Sequence, residues 1–240
     1  MAYAFNGTTD YFNKASSQTT LPFTMACWFN PDDVATNYAL MANEENAATF
    51  ERYSLLCRGD LAGDPVQADA RNRAGTSAQA ATTTAIVAAT WQHAAAVFTS
   101  TTSRTAYLNG GGAGSNSTSI TIANAMNSLD VGRRLFAAAS ANFFKGKIAE
   151  PAMWAAALTA DEILALAKGY SPLLIRPSAL VFYSPLIRDP IDYRGGALTT
   201  GGSPAFADHI ATIMPRAPIV GRTRVARANL FLTEGADTVG

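Results

Sequence analysis

Apolar and polar side chains alternate along most of this chain, and a period of two is the signature of strands with one buried face. In 21–30, Phe23, Met25, Cys27 and Phe29 fall on one face, with Thr24, Ala26 and Trp28 on the other. Tyr53, Leu55 and Cys57 repeat the pattern in 53–58. In 91–98, Trp91, His93, Ala95 and Val97 oppose Ala94, Ala96 and Phe98. Both sets are largely apolar, so this strand is expected to be covered on both sides. The polar turn at 99–103 leads into a strand over 104–108, which runs directly into Asn109-Gly110. That dipeptide tolerates the positive φ angles of a tight hairpin. Shorter strands fit 118–122, 128–132, 146–154 and 179–186. Strand after strand, separated by Gly, Ser, Thr and Asn, predicts an all-β, antiparallel two-sheet sandwich. Trp91, Val97, Phe23, Phe29 and Ile148 are expected to be mostly buried in it.

One stretch departs from that period. Thr159-Ala160-Asp161-Glu162 has the form of a capping box, in which the threonine hydroxyl accepts from the third residue and Glu162 reaches back. Ile163, Leu164, Leu166 and Ala167 continue it as an apolar stripe, and Gly169 is a natural stop. A short helix near 159–168 is therefore expected to pack on the sandwich, being too short to stand alone. Beyond residue 187 the alternation ceases, and Gly195-Gly196, Gly201-Gly202 and several prolines appear. This divides the chain into a sandwich at 1–187 and an extended C-terminal arm at 188–240. Within the arm, Arg216, Arg222, Arg224 and Arg227 stand in a stretch without acids, and Ile219 and Phe231 are among its apolar anchors. These six residues are the expected docking contacts with a protein partner. The alternative is an arm that wraps its own sandwich and completes the sheet edges.

Composition narrows the classes. The 240 residues carry 18 basic and 18 acidic side chains, so bulk charge offers nothing to nucleic acid. Apolar residues make up 48% and charged residues only 15%, a balance that suits a crowded multi-copy assembly or homo-oligomer. No apolar run is long enough to span a membrane. Two cysteines are too few for a disulfide scaffold or a cysteine-rich metal site. The opening MAYAFNGTTDYF lacks a basic segment followed by an apolar core, so no secretory signal is expected.

Six segments in order resemble the laminin-G-like, concanavalin A-like lectin/glucanase jelly roll family. They are Ala4–Tyr11, Phe23–Pro31, Trp91–Phe98 with Tyr107–Gly110, Leu129–Arg133, Phe144–Glu150 and Ala157–Ile163. The resemblance covers about residues 3–170 and implies a concanavalin A-like jelly roll. Two positions depart from it. Pro151 cannot donate to a ladder and implies an edge or a bulge. Ala149 stands where the family often has an acid, so no calcium site is carried over.

The chemistry-bearing residues give little catalytic pattern. Glycosidases need two carboxylates facing each other across a sugar bond, which on a strand would read Glu-x-Asp. The acidic pairs here, Asp32-Asp33, Glu44-Glu45 and Asp161-Glu162, are adjacent residues whose side chains diverge. His93 alternates with apolar residues and reads as a hydrogen-bonded core residue, and His209 follows Asp208 in the arm with no visible partner. No Gly-x-Ser-x-Gly elbow supports a serine nucleophile. Asp60, Asp64 and Asp69 read as a solvated loop, and calcium there is left open without a supporting motif. Arg58-Gly59-Asp60 and the two glycosylation sequons, at Asn6 and Asn116, read as chance occurrences. Gly110-Gly111-Gly112 reads as a hairpin tip rather than a phosphate cradle, and Trp28, Trp91 and Trp154 read as core packing.

No catalytic residue and no cofactor is thus expected. The fold family serves lectins, glycosidases, adhesive modules and virion proteins, so it does not fix a function. The favoured expectation is a non-catalytic virion protein of a phage, a capsid decoration or cement made in the host cytoplasm and attached to shell or tail proteins. The alternative is a carbohydrate-binding module or adhesin, including a tail component that recognises host glycans. Glycan hydrolysis is the weakest reading.

Overall fold

The computed structural model describes residues 2–16, 18, 20–46, 51–136 and 139–214. Arg216, Ile219, Arg222, Arg224, Arg227 and Phe231 lie outside the described residues. In chain order the strands begin with β1 (Ala2–Asn6), β2 (Tyr11–Ala15), β3 (Phe23–Pro31), β4 (Asn37–Glu44), β5 (Arg52–Arg58) and β6 (Val66–Arg71). They continue with β7 (Ser77–Ala81), β8 (Gln92–Ser100), β9 (Ser103–Leu108), β10 (Gly111–Asn116) and β11 (Ser128–Val131). Then come β12 (Arg134–Phe136), β13 (Ala139–Ala141), β14 (Lys145–Trp154), β15 (Leu180–Tyr183), β16 (Thr199–Gly201) and β17 (Ala205–Ala207). One helix, α1 (Ala160–Ala167), and a 3-10 turn at Pro172–Leu174 lie between β14 and β15.

Two antiparallel sheets form the sandwich. The eight-stranded sheet runs β10-β9-β8-β3-β14-β1-β17, with β15 also paired to β14. The seven-stranded sheet runs β16-β2-β11-β4-β5-β6-β7, and β12–β13 form a separate hairpin. The chain crosses between the sheets repeatedly, which gives the jelly roll connectivity. Period-two alternation fills the interior: Phe5, Phe23, Met25, Phe29, Phe98 and Ile148 from one sheet meet Phe12, Leu40, Met41, Leu55 and Val66 from the other. Each large side chain so buried contributes about 1.5–3 kcal/mol.

A second apolar cluster lies on the outer face of the eight-stranded sheet. Ala26, Ala95, Val97, Ala152 and Trp154 pack there against Leu158, Ile163 and Leu166 of α1 and its approach. Strand β8 is thus covered on both sides, as its double apolar pattern requires. The capping box forms: Thr159 Oγ1 accepts from the Glu162 N–H at 3.3 Å, and the Glu162 carboxylate accepts from the Thr159 N–H at 2.7 Å. Asn109 and Gly110 adopt φ of 54° and 74° at the β9–β10 hairpin. Pro151 sits in a bulge, where the β14–β3 register slips between Ala149 and Ala152 and Glu150 takes a φ of 56°.

Three expectations need correction. Residues 118–122 form no strand; Ile120 is buried from a loop, with its N–H donating to the Thr101 carbonyl at 2.9 Å. Two alternating isoleucines need burial, which a loop can supply without a ladder. Trp91 is only half-buried, just ahead of β8, while Phe23, Phe29, Val97 and Ile148 are buried. Residue 187 is also not where the sheets end. Thr199–Gly201 pairs with β2, and Ala205–Ala207 pairs with β1. Up to Met214 the arm therefore follows the alternative, completing one edge of each sheet. Strands of three residues are too short to show a period, and Gly201 is a packing glycine: a Cβ there would lie 1.9 Å from the Tyr11 ring.

Candidate functional site

The seven-stranded sheet turns a polar face outward. Tyr53, Leu55 and Cys57 on β5 and Val66, Ala68 and Ala70 on β6 point into the core, so their sequence neighbours point away from it. Register then aligns those neighbours into rows across β11, β4, β5, β6 and β7. One row is Ser128, Glu44, Arg52, Arg71 and Ser77; the next is Asp130, Ala42, Ser54, Asp69 and Gln79. Arg58 and Gln67 continue the polar face, with Arg58 Nη1 donating to Gln67 Oε1 at 2.7 Å. The β12–β13 hairpin is tied to this face, because Glu44 Oε1 accepts the Leu135 N–H at 2.7 Å.

Most of these groups are shielded from water. Glu44, Arg52, Ser54 and Asp69 are all buried. Burial, helped by the negative charge of Asp130, pushes the Glu44 carboxyl up to about 8. Asp130 is raised by burial as well, against Arg133 Nε at 2.6 Å and donors from Ser128 and Asn13. Burial and then the neighbouring Arg52 bring Arg134 down to about 10. Arg52 Nε lies 3.6 Å from Asp69 Oδ2, and Gln79 Nε2 donates to Asp69 Oδ1 at 3.1 Å. Arg133 lies over the Tyr11 ring, 3.3 Å from its centroid. The Ser54 hydroxyl and the Asn37 side-chain carbonyl have no hydrogen-bond partner among the described residues. Guanidinium forks, carboxylates and an idle hydroxyl in a partly dry setting suit recognition of a hydroxyl-rich or charged ligand.

The outer face of the eight-stranded sheet is different. A narrow crevice there is lined by Trp28, His93, Glu150, Trp154, Tyr170 and Thr212, among others. Glu150 accepts from the Tyr183 hydroxyl at 2.6 Å and faces His209 Nε2 at 3.3 Å. Burial lowers the His209 pKa, but the Glu150 carboxylate and the carbonyls of Ile210 and Pro185 outweigh it and leave it raised. His93 is buried edge-on against Trp28, with centroids 5.5 Å apart, and burial brings it down to about 3. It is a neutral core residue. The expected hydrogen bond is missing at Nδ1 among the described residues, and aromatic packing stands in its place. Trp154 is fully buried and donates to the Ile175 carbonyl at 2.7 Å.

The remaining candidates scatter. Asp60 pairs with Arg58 at 2.7 Å, which closes the Arg-Gly-Asp tripeptide on itself. Asp69 lies within β6 rather than in the loop with Asp60 and Asp64. Among the described residues no three His, Cys, Asp or Glu side chains are grouped to hold a metal ion. Asp33 is engaged by Lys145 at 3.0 Å and Tyr38 at 2.7 Å. Sequence reasoning missed Glu44, Arg52, Ser54, Arg71 and Arg134 as one site. A usable signal was present, since Arg52, Ser54, Gln67, Asp69 and Arg71 hold the opposite phase to the core residues of the same strands.

Residues 6–164 match the family model for the concanavalin A-like lectin/glucanases superfamily. The chain belongs to that superfamily. No curated protein is similar enough in sequence to match it. Among solved structures it resembles a putative carbohydrate binding protein from Bacteroides ovatus, with a TM-score of 0.61 and 17% identity over 88% of this chain and 60% of that one. It resembles domain 4 of an extracellular arabinanase from Geobacillus stearothermophilus, in complex with arabinotriose, with a TM-score of 0.56 and 19% identity over 69% and 76%. A heptameric SAP-like pentraxin from Limulus polyphemus is similar at a TM-score of 0.55 and 14% identity, over 83% and 94%. At these identities the likeness is one of fold.

Proposed function

We propose that this chain is a non-catalytic glycan-binding sandwich whose ligand lies on the outer face of the seven-stranded sheet. The observation that carries this is the fully buried, unpartnered Ser54 hydroxyl set among Arg52, Asp69 and Arg71 on that face. Buried polar groups are nearly always satisfied within a fold, so an idle hydroxyl in a charged row is open to a partner from outside the chain. The lectin-like family supports the reading, as do neighbours named as carbohydrate binding or as holding arabinotriose. A glycan array followed by titration calorimetry tests it. The expected result is saturable binding that leaves the glycan intact. A blank array with folded protein defeats the reading, and released reducing ends defeat its non-catalytic part.

A second reading, a phage virion protein present in many copies, is favoured by one observation. Nearly all the large exposed apolar side chains among the described residues fall between 164 and 214, including Tyr170, Leu174, Ile191, Tyr193, Phe206 and Ile213. Exposed apolar side chains gathered in one stretch of chain suit contact with protein partners, as a multi-copy role requires. The two readings are compatible in a particle component that also recognises host glycans. Incorporation at stoichiometric copy number into purified particles, measured by mass spectrometry, is the expected result; absence from particles defeats this second reading.

A further inference from the structure

We propose that His209 is a protonation-controlled clasp: its imidazolium fastens residues 208–214 across the outer face of the eight-stranded sheet, and this strap lifts when the ring loses its second proton. The inference concerns the face opposite the proposed glycan surface and does not depend on it. Both ring nitrogens of His209 face oxygen. Nδ1 lies 2.7 Å from the Ile210 carbonyl oxygen, and Nε2 lies 3.0 Å from that of Pro185 and 3.3 Å from Glu150 Oε1. All three are acceptors. A neutral imidazole carries one N–H and one lone pair, so either tautomer sets a nitrogen lone pair against an oxygen. Only the imidazolium donates at both positions.

The surroundings hold that charge. Glu150 of β14 is the charged group facing the ring, and its other oxygen accepts from the Tyr183 hydroxyl of β15 at 2.6 Å. His93 of β8 and Tyr170 line the crevice beside Glu150; burial keeps His93 neutral, and Asp208, next to His209 in the chain, is exposed. Burial of His209 works against its charge, but Glu150 and the two carbonyls outweigh it and raise the imidazole above its ordinary value of 6.5. Anchorage of the strap is largely polar. Ile213 and Met214 are exposed, whereas the His209 side chain is only 9% exposed. Upstream the β17–β1 pairing ties the chain down. Downstream the Ile213 N–H donates to the Gly169 carbonyl at 2.6 Å, and the Ile213 carbonyl accepts from the Ser171 N–H at 2.9 Å. Thr212 forms part of the crevice wall, so lifting the strap opens the crevice. It exposes Glu150 Oε1 and His93 Nδ1, both buried without a hydrogen-bond partner among the described residues. The closed strap binds the proton more tightly than the open one. Closure is therefore complete below 6.5 and is lost as pH rises through the raised value.

The test follows the full chain by NMR from about pH 5.5 to about pH 9, the span in which an imidazole changes charge. The chain has two histidines and His93 stays neutral in that span, so one imidazole signal should titrate, and it should vanish in His209→Gln. Its midpoint should lie above 6.5, and Glu150→Gln should lower it. Hydrogen-exchange protection of the Ser171 and Ile213 N–H groups, corrected for intrinsic exchange, should fall as pH rises. The fall should be about tenfold for each unit by which the measured midpoint exceeds 6.5. It is read as wild type minus His209→Gln, which removes the pH dependence that Glu44 contributes. A melting curve confirms that His209→Gln is folded, and if Glu150→Gln does not fold, the wild-type titration and His209→Gln still decide. A midpoint at or below 6.5, or protection that does not change across the titration, overturns the clasp. A fall of the same size in His209→Gln assigns the pH dependence to another group and overturns it as well.

Discussion

The two outer faces of this sandwich are covered by opposite means. On the eight-stranded sheet, Ala95, Val97, Ala152 and Trp154 meet α1 in a second hydrophobic cluster. On the seven-stranded sheet, buried charges are tied under a hairpin by Glu44, Arg133 and Arg134. The first arrangement is what stability alone favours beneath α1, where the contacts are apolar side chains. The second carries buried charges and an unpartnered hydroxyl, which lower stability relative to an apolar surface of the same shape. A fold that spends one face on packing and the other on polar groups leaves the second free for the recognition role proposed above.

The largest break in that comparison comes from the packed face. Trp154→Ala empties a fully buried site and should cost about 3–5 kcal/mol in urea unfolding. A cost below about 1 kcal/mol would mean the helix layer adds little to the sandwich. On the polar face the leading effect is pH-dependent. The folded chain holds the Glu44 proton up to about 8, whereas the unfolded chain releases it near its ordinary value of 4.5. The contribution of Glu44 is therefore complete below that ordinary value and is lost as pH rises toward about 8. Glu44→Gln keeps an acceptor for the Leu135 N–H without the charge. It should flatten the loss across that window, by on the order of 5 kcal/mol at about 1.4 kcal/mol per unit. His209, also raised, loses its contribution as pH climbs past its ordinary range, so the comparison is wild type minus variant. Parallel curves for the two proteins would show that Glu44 ionises normally in the fold.

The same contrast explains what could be read before the structure. Strands β3, β5 and β8 show their inward residues as plain alternation, and Thr159–Glu162, Asn109-Gly110 and Pro151 mark a cap, a hairpin and a bulge by local chemistry alone. Local signals suffice there because the forces are local. The polar face is not local. Glu44, Arg52, Arg71 and Arg134 come from four elements, and only register and the path of the hairpin bring them together. Charged residues in strands look like a solvated surface until something is known to cover them. The arm was misleading for a related reason: its glycines suggested an extended segment outside the sheets, while Gly201 lies in a sheet edge where Tyr11 approaches closely.

Two buried hydroxyls sharpen the comparison to a single pair of atoms. Thr24, on the packed face, donates to the Ala156 carbonyl at 2.8 Å and accepts the Leu158 N–H at 3.0 Å. Thr24→Val keeps the shape and strands both backbone groups, so it should destabilise by about 1–3 kcal/mol. Ser54, on the polar face, is equally buried and has no hydrogen-bond partner among the described residues. Ser54→Ala removes a desolvated donor that satisfies nothing, so stability should hold or rise by up to about 1 kcal/mol. On the proposed reading, glycan affinity should fall in the same variant by about three- to tenfold, the scale of one lost hydrogen bond. Chemical denaturation and calorimetry on the two variants read both quantities. If Ser54→Ala instead costs as much stability as Thr24→Val, the hydroxyl is structural, and the proposed recognition role of the polar face loses the observation that carries it.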